Sequence, residues 1–520
     1  MTLPSQPVSP WLRQGVGHHT GGRRPSKYYP PAEPGAAKRF MALCLLAIAS
    51  LACSSLHAAE PGQRPNIILI IADDLGYGEL GCYGQKLIKT PRIDALAREG
   101  MRFTQFYSGS PLCASSRCTL MTGKHTGHSF IRDNGEQGDW DWVEQKYGTK
   151  FTGQRPIPEE TVTLAELLHG QGYATAAFGK WGLGHYGTAG SPTTQGFDLF
   201  YGYYCQRHAH NHYPAFLWRN GEKETLAGNT GEDALGAIHS HDKFVENAKA
   251  FIRDHRDGPF FLYMPVIVPH LAIQTTEKAI AQYEGMPETP YKKGQGGYHP
   301  HPRPHAGYAA MVSQLDSGVG EIVDLVTELG LDDNTLILFT SDNGPTYERV
   351  GGADSDFFDS SAGLRGRKRE VYEGGIRVPL IARWSGQIAA DSTETTPAAM
   401  WDLLPTLCDV AGATPPADVD GVDLLPAMLG KTSAKGERTF YWELATNGGL
   451  QAVRTGDWKG ERVGLTKGPQ PWQLYDLAAD PHETTDVAAE HPEVVAQIDE
   501  FARASHVPSK EFPFPTLDSP

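Results

Sequence analysis

The sequence predicts an α/β fold in which a large, mostly parallel sheet is flanked by helices and followed by a smaller C-terminal subdomain with a short antiparallel sheet. Two observations predict the large sheet. First, continuous apolar runs at 66–72 and 335–340 are typical of parallel strands that are buried on both faces. Second, segments with helical spacing of apolar residues, such as 308–329, alternate with such runs, which is the pattern of βαβ units.

Further strands and helices follow the same alternation along the chain. Three more apolar runs are expected to be strands of the sheet: 174–178, 259–264 and 378–384. Helical spacing predicts helices at 91–98 and 163–169. In a mostly parallel sheet, ligands bind beyond the carboxyl ends of the strands. Polar residues that follow the apolar runs are therefore the first candidates for a functional site.

The C-terminal part of the chain has a different pattern. A helix-like segment at 400–410 leads into Thr414-Pro415-Pro416, and from Thr439 onward the apolar segments are short. Short segments of this kind predict a small antiparallel sheet rather than further βαβ units. We therefore expect an N-terminal extension with a signal peptide, a main domain and a C-terminal subdomain. Their expected bounds are 1–59, 60–413 and 414–520.

The composition is that of an acidic globular protein. The 520 residues include 46 Lys and Arg against 61 Asp and Glu, a formal net charge of −15 at pH 7. Because this charge repels phosphate backbones, we expect no nucleic-acid partner. The seven cysteines form no Cys-x-x-Cys pair, so the sequence indicates neither a disulfide scaffold nor a zinc site built from thiolates.

The N-terminus carries the pattern of a secretory signal. Lys38 and Arg39 precede an apolar run at 40–52, and the small residues Ala58-Ala59 offer a cleavage site. The run is too short to span a bilayer. We therefore expect a protein that is secreted or exported to the periplasm, with lipid anchoring at Cys53 as an alternative.

Acidic residues follow the two longest apolar runs. Asp73 and Asp74 come directly after the first, and Ser341-Asp342-Asn343-Gly344 ends the second. Neighbouring carboxylates repel each other unless a cation lies between them. A helix N-cap would explain the first pair taken alone. Three carboxylates and an amide at strand ends, however, make an oxygen-rich site suited to Ca²⁺ or Mg²⁺.

A cysteine lies between these acidic groups in the chain, within the segment 111–123 (PLCASSRCTLMTG). A helix N-terminus beside Arg117 would lower the pKa of Cys113 and hold an anion. These residues alone leave two alternatives open, a reactive cysteine and a buried structural one.

This segment resembles the sulfatase signature Cys-x-Pro-Ser-Arg-x-x-x-Leu-Thr-Gly, whose cysteine, here Cys113, is oxidised to formylglycine after translation. Other segments are similar to further sulfatase motifs and follow in the expected order: 73–76, 341–344, 363–366, 372–379, 472–477 and 480–483. The resemblance runs from about Arg64 to Ala489. It makes 60–413 the expected catalytic domain of a sulfatase with an alkaline-phosphatase-like fold.

The resemblance implies a sulfuric ester hydrolase of the arylsulfatase kind, with small-molecule or carbohydrate sulfate esters as substrates. One hydroxyl of hydrated formylglycine would attack sulfur, and the other would then expel sulfate. A formylglycine-generating or sulfatase-maturating enzyme is the implied partner. The expected metal is Ca²⁺, with Mg²⁺ as the alternative. The metal ligands that the resemblance implies are Asp73, Asp74, modified Cys113, Asp342 and Asn343.

The same resemblance assigns roles to four more residues. Arg117 would hold the formylglycine, and Lys180 and Lys368 would bind sulfate. His270 matches the histidine that protonates or hydrogen-bonds the leaving oxygen.

The segment 201–218 (YGYYCQRHAHNHYPAFLW) is rich in aromatic residues and histidine. It is expected to be a wall of the substrate pocket, with His210 binding substrate, because aromatic faces suit sugars and aryl rings. An aromatic packing patch is the alternative.

Two positions depart from the sulfatase motifs. The family usually has Gly-Lys-Trp-His-Leu-Gly, but the fourth position here is Gly182, so the histidine that helps to break down the enzyme sulfate is missing. Ser115 stands where the maturation signal normally has proline or sometimes alanine. The candidate replacements for the missing histidine are His125, His128, His185, His208, His210 and His212.

Two other functions remain open at this point. A phosphomonoesterase or phosphonate hydrolase would use the same fold and metal site, but Cys113 with Arg117 favours sulfate. A catalytically silent protein that binds sulfated glycans would result if Cys113 stayed unmodified.

Overall fold

The computed structural model describes residues 64–135, 154–291, 298–346, 350–431 and 438–518. Within these ranges, eleven strands form a large sheet and four form a small one. In chain order the strands are β1 (Asn66–Ala72), β2 (Met101–Tyr107), β3 (Ala174–Lys180), β4 (Leu199–Tyr203), β5 (Phe216–Arg219), β6 (Glu222–Thr225), β7 (Phe260–Pro265), β8 (Thr335–Ser341), β9 (Arg377–Arg383), β10 (Ser392–Glu394), β11 (Ala398–Ala399), β12 (Thr439–Leu444), β13 (Leu450–Thr455), β14 (Trp458–Val463) and β15 (Gln473–Asp476).

The helices of the described residues lie between and around these strands. They are α1 (Pro91–Arg98), α2 (Cys113–Thr122), α3 (Leu164–Gly170), α4 (Ser240–Asp254), α5 (Glu277–Ile280), α6 (Pro304–Glu328), α7 (Glu373–Ile376), α8 (Leu403–Ala411), α9 (Leu425–Met428), α10 (Pro492–Ser505) and α11 (Pro515–Asp518). None of them is both long and apolar enough to cross a membrane.

The large sheet is parallel at its centre, as predicted. Its strand order is β10-β2-β9-β8-β1-β7-β3-β4-β5-β6, and β11 pairs with β2. The central strands β8, β1, β7, β3 and β4 are parallel to their neighbours within this set. The strand β9 is antiparallel to both of its neighbours, and β5 to both of its own.

Both faces of the sheet are covered, which explains why its strands are continuously apolar. Along β1, Ile67, Leu69 and Ile71 pack into one buried cluster that includes residues of α2 and α8. Ile68 and Ile70 pack into another, which includes residues of α4 and α6. Alternate side chains of a strand point to opposite faces, so a strand buried on both faces must be apolar at every position.

The small antiparallel sheet is also as predicted, with strand order β12-β13-β14-β15. Trp442 of β12 packs with Tyr107 of β2 and Trp401, which joins the small sheet to the edge of the large one. The helix α10 packs against its other face through Ile498 and Ala502. The signal peptide expected at 1–59 lies outside the described residues, and the division at 413 stays a prediction.

Candidate active site

Two neighbouring parallel strands bring acidic residues together. In the ladder between β1 and β8, Ala72 pairs with Ser341, so the residues that follow these strands lie side by side. The Asp342 amide donates to the Ala72 carbonyl at 3.1 Å, and the Asp74 amide donates to Asp342 Oδ1 at 3.2 Å. Asp73, Asp74 and Asp342 are all buried. The carboxylates that the sequence places at strand ends therefore form one buried cluster.

Cys113 is the first residue of α2, and its thiol lies in this cluster. Sγ is 3.4 Å from Asp73 Oδ1 and 3.9 Å from Asp74 Oδ1. One side-chain atom from each of Asp73, Asp74, Cys113 and Asp342 lies within 4.8 Å of the others, a spacing that a metal ion can bridge. Cys113 itself is 1% exposed.

The thiol is not activated in this setting, which corrects the expectation from its position at a helix N-terminus. Burial, and next the charge of Asp73, raises the pKa of Cys113 to about 12. The lysines near it lower the pKa by less than these effects raise it. Because the thiolate is the nucleophilic form of cysteine, unmodified Cys113 is a poor nucleophile at neutral pH.

Asn343 provides an oxygen suited to a cation. Its Nδ2 donates to Asp74 Oδ1 at 2.8 Å and to the Gly344 carbonyl at 2.9 Å, which orients the amide. Its Oδ1 is buried and has no hydrogen-bond partner among the described residues. Buried polar atoms are normally paired. Carboxylates with an unpaired amide oxygen are the donors that Ca²⁺ and Mg²⁺ prefer, so the residues present fit the implied metal.

Two buried lysines neutralise the carboxylates. Lys180, at the end of β3, places Nζ 2.6 Å from Asp73 Oδ2. Lys368 Nζ lies 2.6 Å from Asp74 Oδ1, 2.8 Å from Asp74 Oδ2 and 3.3 Å from Cys113 Sγ. The Lys368 amide donates to the Pro345 carbonyl at 2.9 Å, which ties its loop to the segment after β8. Both ammonium groups therefore converge on the thiol position.

Arg117 orients the same groups from the next turn of α2. Its Nη2 lies 2.7 Å from Asp342 Oδ2 and 3.6 Å from Asp73 Oδ2, and its Nε donates to Asp342 at 3.2 Å. Its other terminal nitrogen donates to the Lys180 carbonyl. One guanidinium thus links α2 to the ends of β1, β3 and β8, a use that suits the planar fork of arginine.

These charges set the pKa values of the cluster. Burial alone would raise the pKa of Asp73, but Lys180 and the other nearby cations hold it well below 3.8. Burial and the charge of Asp73 raise the pKa of Asp342 to about 6. Burial alone would lower the pKa of Lys368, but the Asp74 carboxylate raises it well above its usual value. The cluster therefore holds ionised carboxylates and ionised lysine together at neutral pH.

Two histidines lie at the edge of the cluster. His270 Nε2 is 3.6 Å from Asp74 Oδ2, and its Nδ1 is 2.5 Å from the Leu271 carbonyl. Because a carbonyl only accepts, Nδ1 carries the proton and Nε2 faces the cluster. His210 stacks on His270 with ring centroids 5.0 Å apart. His212 lies behind them and contacts the His270 carbonyl through Nε2 at 2.8 Å.

Most aromatic residues of the segment 201–218 serve packing, which was the alternative to a pocket wall. Tyr201, Tyr203 and Trp218 are buried in the two main hydrophobic clusters. His210, in contrast, is exposed beside His270. Of these four rings, only that of His210 is exposed beside the cluster.

The space beside Gly182 is filled by a residue that sequence reasoning missed. Gly182 has φ +84°. A Cβ atom added there would lie 2.6 Å from Gln206 Nε2 and 3.9 Å from Cβ of Ala114. Apart from chain neighbours, the three nearest heavy atoms of the described residues belong to these two side chains. The glycine in place of histidine was the only sequence signal for this arrangement.

The proposed replacements for the missing histidine have other contacts. His125 and His128 lie against Asp420, at 3.6 Å and 2.9 Å. His185 packs on Tyr204, with ring centroids 4.7 Å apart. His208 packs on Tyr203 and Phe216. The residues that the structure brings together are thus the predicted set: Asp73, Asp74, Cys113, Arg117, Lys180, His270, Asp342, Asn343 and Lys368, with His210 stacked on His270.

Family models and known proteins match this chain over most of its length. The family model described as Sulfatase matches residues 65–413, and the one described as N-sulphoglucosamine sulphohydrolase, C-terminal, matches residues 366–504. The chain is 33% identical over 451 residues to the N-acetylgalactosamine-6-sulfatase of Sus scrofa, covering 82% of this chain and 76% of that protein. It is 29% identical over 567 residues to the steryl-sulfatase of Mus musculus, covering 89% and 86%.

A solved structure is similar over the same extent. The crystal structure of Ps i-CgsB in complex with k-i-k-neocarrahexaose superposes with a TM-score of 0.71 at 27% identity, covering 87% of this chain and 94% of that one.

Proposed function

Because the chain belongs to the sulfatase family and is a sulfuric ester hydrolase, we propose that it hydrolyses sulfate monoesters through a formylglycine made from Cys113, with a bound Ca²⁺. The convergence of two lysines, an arginine and three carboxylates on the Cys113 position is the observation that carries the proposal. Burial and the charge of Asp73 raise the pKa of the unmodified thiol to about 12, which makes it a poor nucleophile and supports a role for its modified form.

The metal would be held by Asp73, Asp74, Asp342 and Asn343. When bound, it would supply positive charge that lowers the pKa of the attacking hydroxyl and offsets charge on the sulfate oxygens. Asn343 Oδ1, which has no hydrogen-bond partner in the described part of the chain, supports this assignment. Oxygen donors alone suit Mg²⁺ as well as Ca²⁺, and Ca²⁺ rests on the family resemblance.

Lys180 and Lys368 would bind the sulfate group of the substrate. Both now pair with carboxylates that the metal would share. With a divalent cation among those carboxylates, the two ammonium groups can contact the sulfate oxygens next to residue 113. A charge-assisted hydrogen bond from each would orient the ester and stabilise charge that develops on it.

His270 would assist the leaving group through Nε2. Its Nδ1 proton is held by the Leu271 carbonyl, so a second proton can reside only on Nε2, the atom that faces the cluster. Because burial and then the charge of Lys368 lower the pKa of His270 well below its usual value, Nε2 is unprotonated in the free site. A proton that Nε2 accepts from the attacking hydroxyl would pass to the leaving oxygen, which gives an alcohol and neutral His270. Stacking by His210 fixes the ring plane for this transfer.

We propose a sulfated carbohydrate as the substrate class, with aryl sulfates as surrogate substrates. A carbohydrate is supported by the solved relative in complex with k-i-k-neocarrahexaose and by the relative named N-acetylgalactosamine-6-sulfatase. The relative named steryl-sulfatase makes a steryl sulfate the comparison substrate. The protein is expected to be exported through the signal at 1–59 and to be matured by a formylglycine-generating or sulfatase-maturating enzyme.

The test is the mass of the tryptic peptide 103–117, from protein purified out of its own host, together with sulfate release. We expect the mass decrease that replaces the CH₂SH side chain by an aldehyde, and release of sulfate from 4-nitrophenyl sulfate and from N-acetylgalactosamine 6-sulfate. An unmodified thiol with glycan binding and no turnover would instead favour a silent glycan-binding protein. Faster hydrolysis of 4-nitrophenyl phosphate than of the sulfate would favour a phosphomonoesterase.

A further inference from the structure

The Gln206 carboxamide lies where the sulfatase motif has a histidine side chain. Residue 182 is the position of that histidine, and a Cβ atom there would fall 2.6 Å from Gln206 Nε2. The positive φ of Gly182 and the contact with Gln206 both disfavour a side chain at 182. The side chain of Gln206 therefore occupies the space that belongs to the histidine at position 182 in the sulfatase motif.

The side-chain amide of Gln206 is buried without a protein partner among the described residues, so it is available to bind a ligand. The residue is 6% exposed. Neither Nε2 nor Oε1 has a hydrogen-bond partner among the described residues. Unpaired polar atoms are rare in protein interiors because losing water without gaining a partner is costly. When such an amide lies beside a substrate site, we expect it to form hydrogen bonds with the bound ligand.

The neighbours of Gln206 are close in the chain to Lys180 and Cys113. Gly182 lies two residues after Lys180 in the chain, and its amide donates to the Tyr204 carbonyl at 3.1 Å, which holds the segment before Gln206 alongside β3. Ala114, the other neighbour of the space beside Gly182, directly follows Cys113. The Gln206 amide nitrogen of the main chain donates to Gln154 Oε1 at 3.3 Å, which anchors the residue from the other side.

We propose that Gln206 is a sulfate-binding residue that takes the place of the missing histidine, an inference that rests on the proposed sulfatase function. Nε2 donates to a sulfate oxygen, and Oε1 accepts from a hydroxyl of the modified residue 113. A carboxamide neither gains nor loses a proton near neutral pH. Gln206 therefore orients the sulfate and the hydroxyl but does not take up a proton, as the histidine of the family motif would.

The test uses the full-length matured enzyme, with 4-nitrophenyl sulfate as substrate and inorganic sulfate as competing ligand. We expect Gln206→Ala to raise the inhibition constant of sulfate and to lower kcat/KM by about tenfold, the effect of one lost hydrogen bond to a charged group. Gln206→Glu keeps the shape of the side chain but faces sulfate with a negative charge, so it should raise the inhibition constant further. Gln206→His should add an ionisation to the pH profile of kcat.

Gln195→Ala is the matched control, because Gln195 is also buried and its Oε1 also has no partner among the residues that the structure describes, yet its Nε2 donates to the Ala189 carbonyl. We expect this variant to keep the sulfate inhibition constant of the wild type. Should Gln206→Ala fail to fold, Gln206→Glu carries the same test.

The outcomes separate the two proposals. An active wild type whose Gln206→Ala and Gln206→Glu variants keep the wild-type kcat/KM and sulfate inhibition constant overturns the role of Gln206 and leaves the sulfatase function standing. A wild type without formylglycine and without sulfate release overturns the proposed function and this inference with it.

Discussion

The backbone amide of Glu373 donates to Glu483 Oε2 at 2.8 Å, and this bond joins the C-terminal part of the chain to the active-site loop. Glu373 is the first residue of α7 and follows Lys368 by five positions. Lys459 Nζ, which is fully buried, lies 3.1 Å from the Glu373 carboxylate and 2.8 Å from that of Glu483. The small sheet thus supports the loop that carries Lys368.

Lys459→Met should destabilise the protein strongly. The change leaves the buried carboxylates of Glu373, Glu461 and Glu483 without their shared cation. Removing one partner from a buried ionic network costs about 3–5 kcal/mol. Urea denaturation at pH 7 measures the change in the free energy of unfolding. The exposed Lys467→Met is the control, and equal stability of the two variants would show that the network contributes no net stability.

Cys113→Ala and Cys113→Ser should abolish sulfate release while leaving the protein folded. Both remove the source of the formylglycine nucleophile, and loss of a nucleophile typically lowers kcat by several orders of magnitude. The assay is sulfate release from 4-nitrophenyl sulfate, with circular dichroism to monitor folding. Cys82→Ala, at a half-buried cysteine outside the cluster, should keep activity. Full activity in Cys113→Ala would refute the formylglycine mechanism.

Asp342→Ala should lose metal and activity together. The variant removes one carboxylate of the cluster. It also leaves the buried Arg117 without its main ionic partner. Elemental analysis of the purified protein measures bound calcium alongside sulfate release. Asp356→Ala, at an exposed residue paired with Arg367, should retain both. A normal calcium content in Asp342→Ala would remove this residue from the ligand set.

His125 should make the protein less stable as the pH falls below about 6.5. Burial outweighs the Asp420 carboxylate and lowers the pKa of His125 to about 3. Below about pH 6.5, His125 therefore binds a proton in the unfolded chain but stays neutral in the folded protein. As the pH falls from there towards 3, the free energy of unfolding decreases by up to about 1.4 kcal/mol per pH unit.

The measurement is the free energy of unfolding of His125→Asn between pH 7 and pH 4, set beside the wild type. Asn Oδ1 can replace Nδ1 as acceptor for the Gly127 amide, and the variant should show a shallower loss of stability at acid pH. His169→Asn, at an exposed residue, should keep the wild-type slope. Identical slopes for wild type and His125→Asn would contradict the assignment.

The paired acids could be located from the sequence because a general rule covers them. Asp73 and Asp342 each follow a continuous apolar run, and the carboxyl ends of parallel strands lie at one edge of a sheet. The pairing of Ala72 with Ser341 places the two residues side by side. Gln206 had no such rule, because the path of its segment depends on distant contacts such as that between the Gly182 amide and the Tyr204 carbonyl.

The hairpin of β5 and β6 was missed although its turn signal is in the sequence. Asn220-Gly221 joins the strands, with φ values of +45° and +91°. Asn-Gly is the preferred pair for a two-residue hairpin turn, where both residues need positive φ. The residues of β6, Glu222–Thr225, are all polar or charged, so the strand shows no apolar pattern. Position at the sheet edge, which only the whole fold defines, explains that composition.

The contacts of the carboxylate cluster join distant parts of the chain. The bond from the Asp74 amide to Asp342 spans 268 positions, and that from Lys368 to Asp74 spans 294. Such non-local contacts form late in folding, because the intervening chain must first be closed into a loop. During synthesis, a nascent chain that ends before β8 therefore contains Asp73, Asp74, Cys113, Arg117 and Lys180 but not Asp342 or Lys368. The thiol of such an unfinished chain is not yet enclosed by the groups that come from the second half of the sequence.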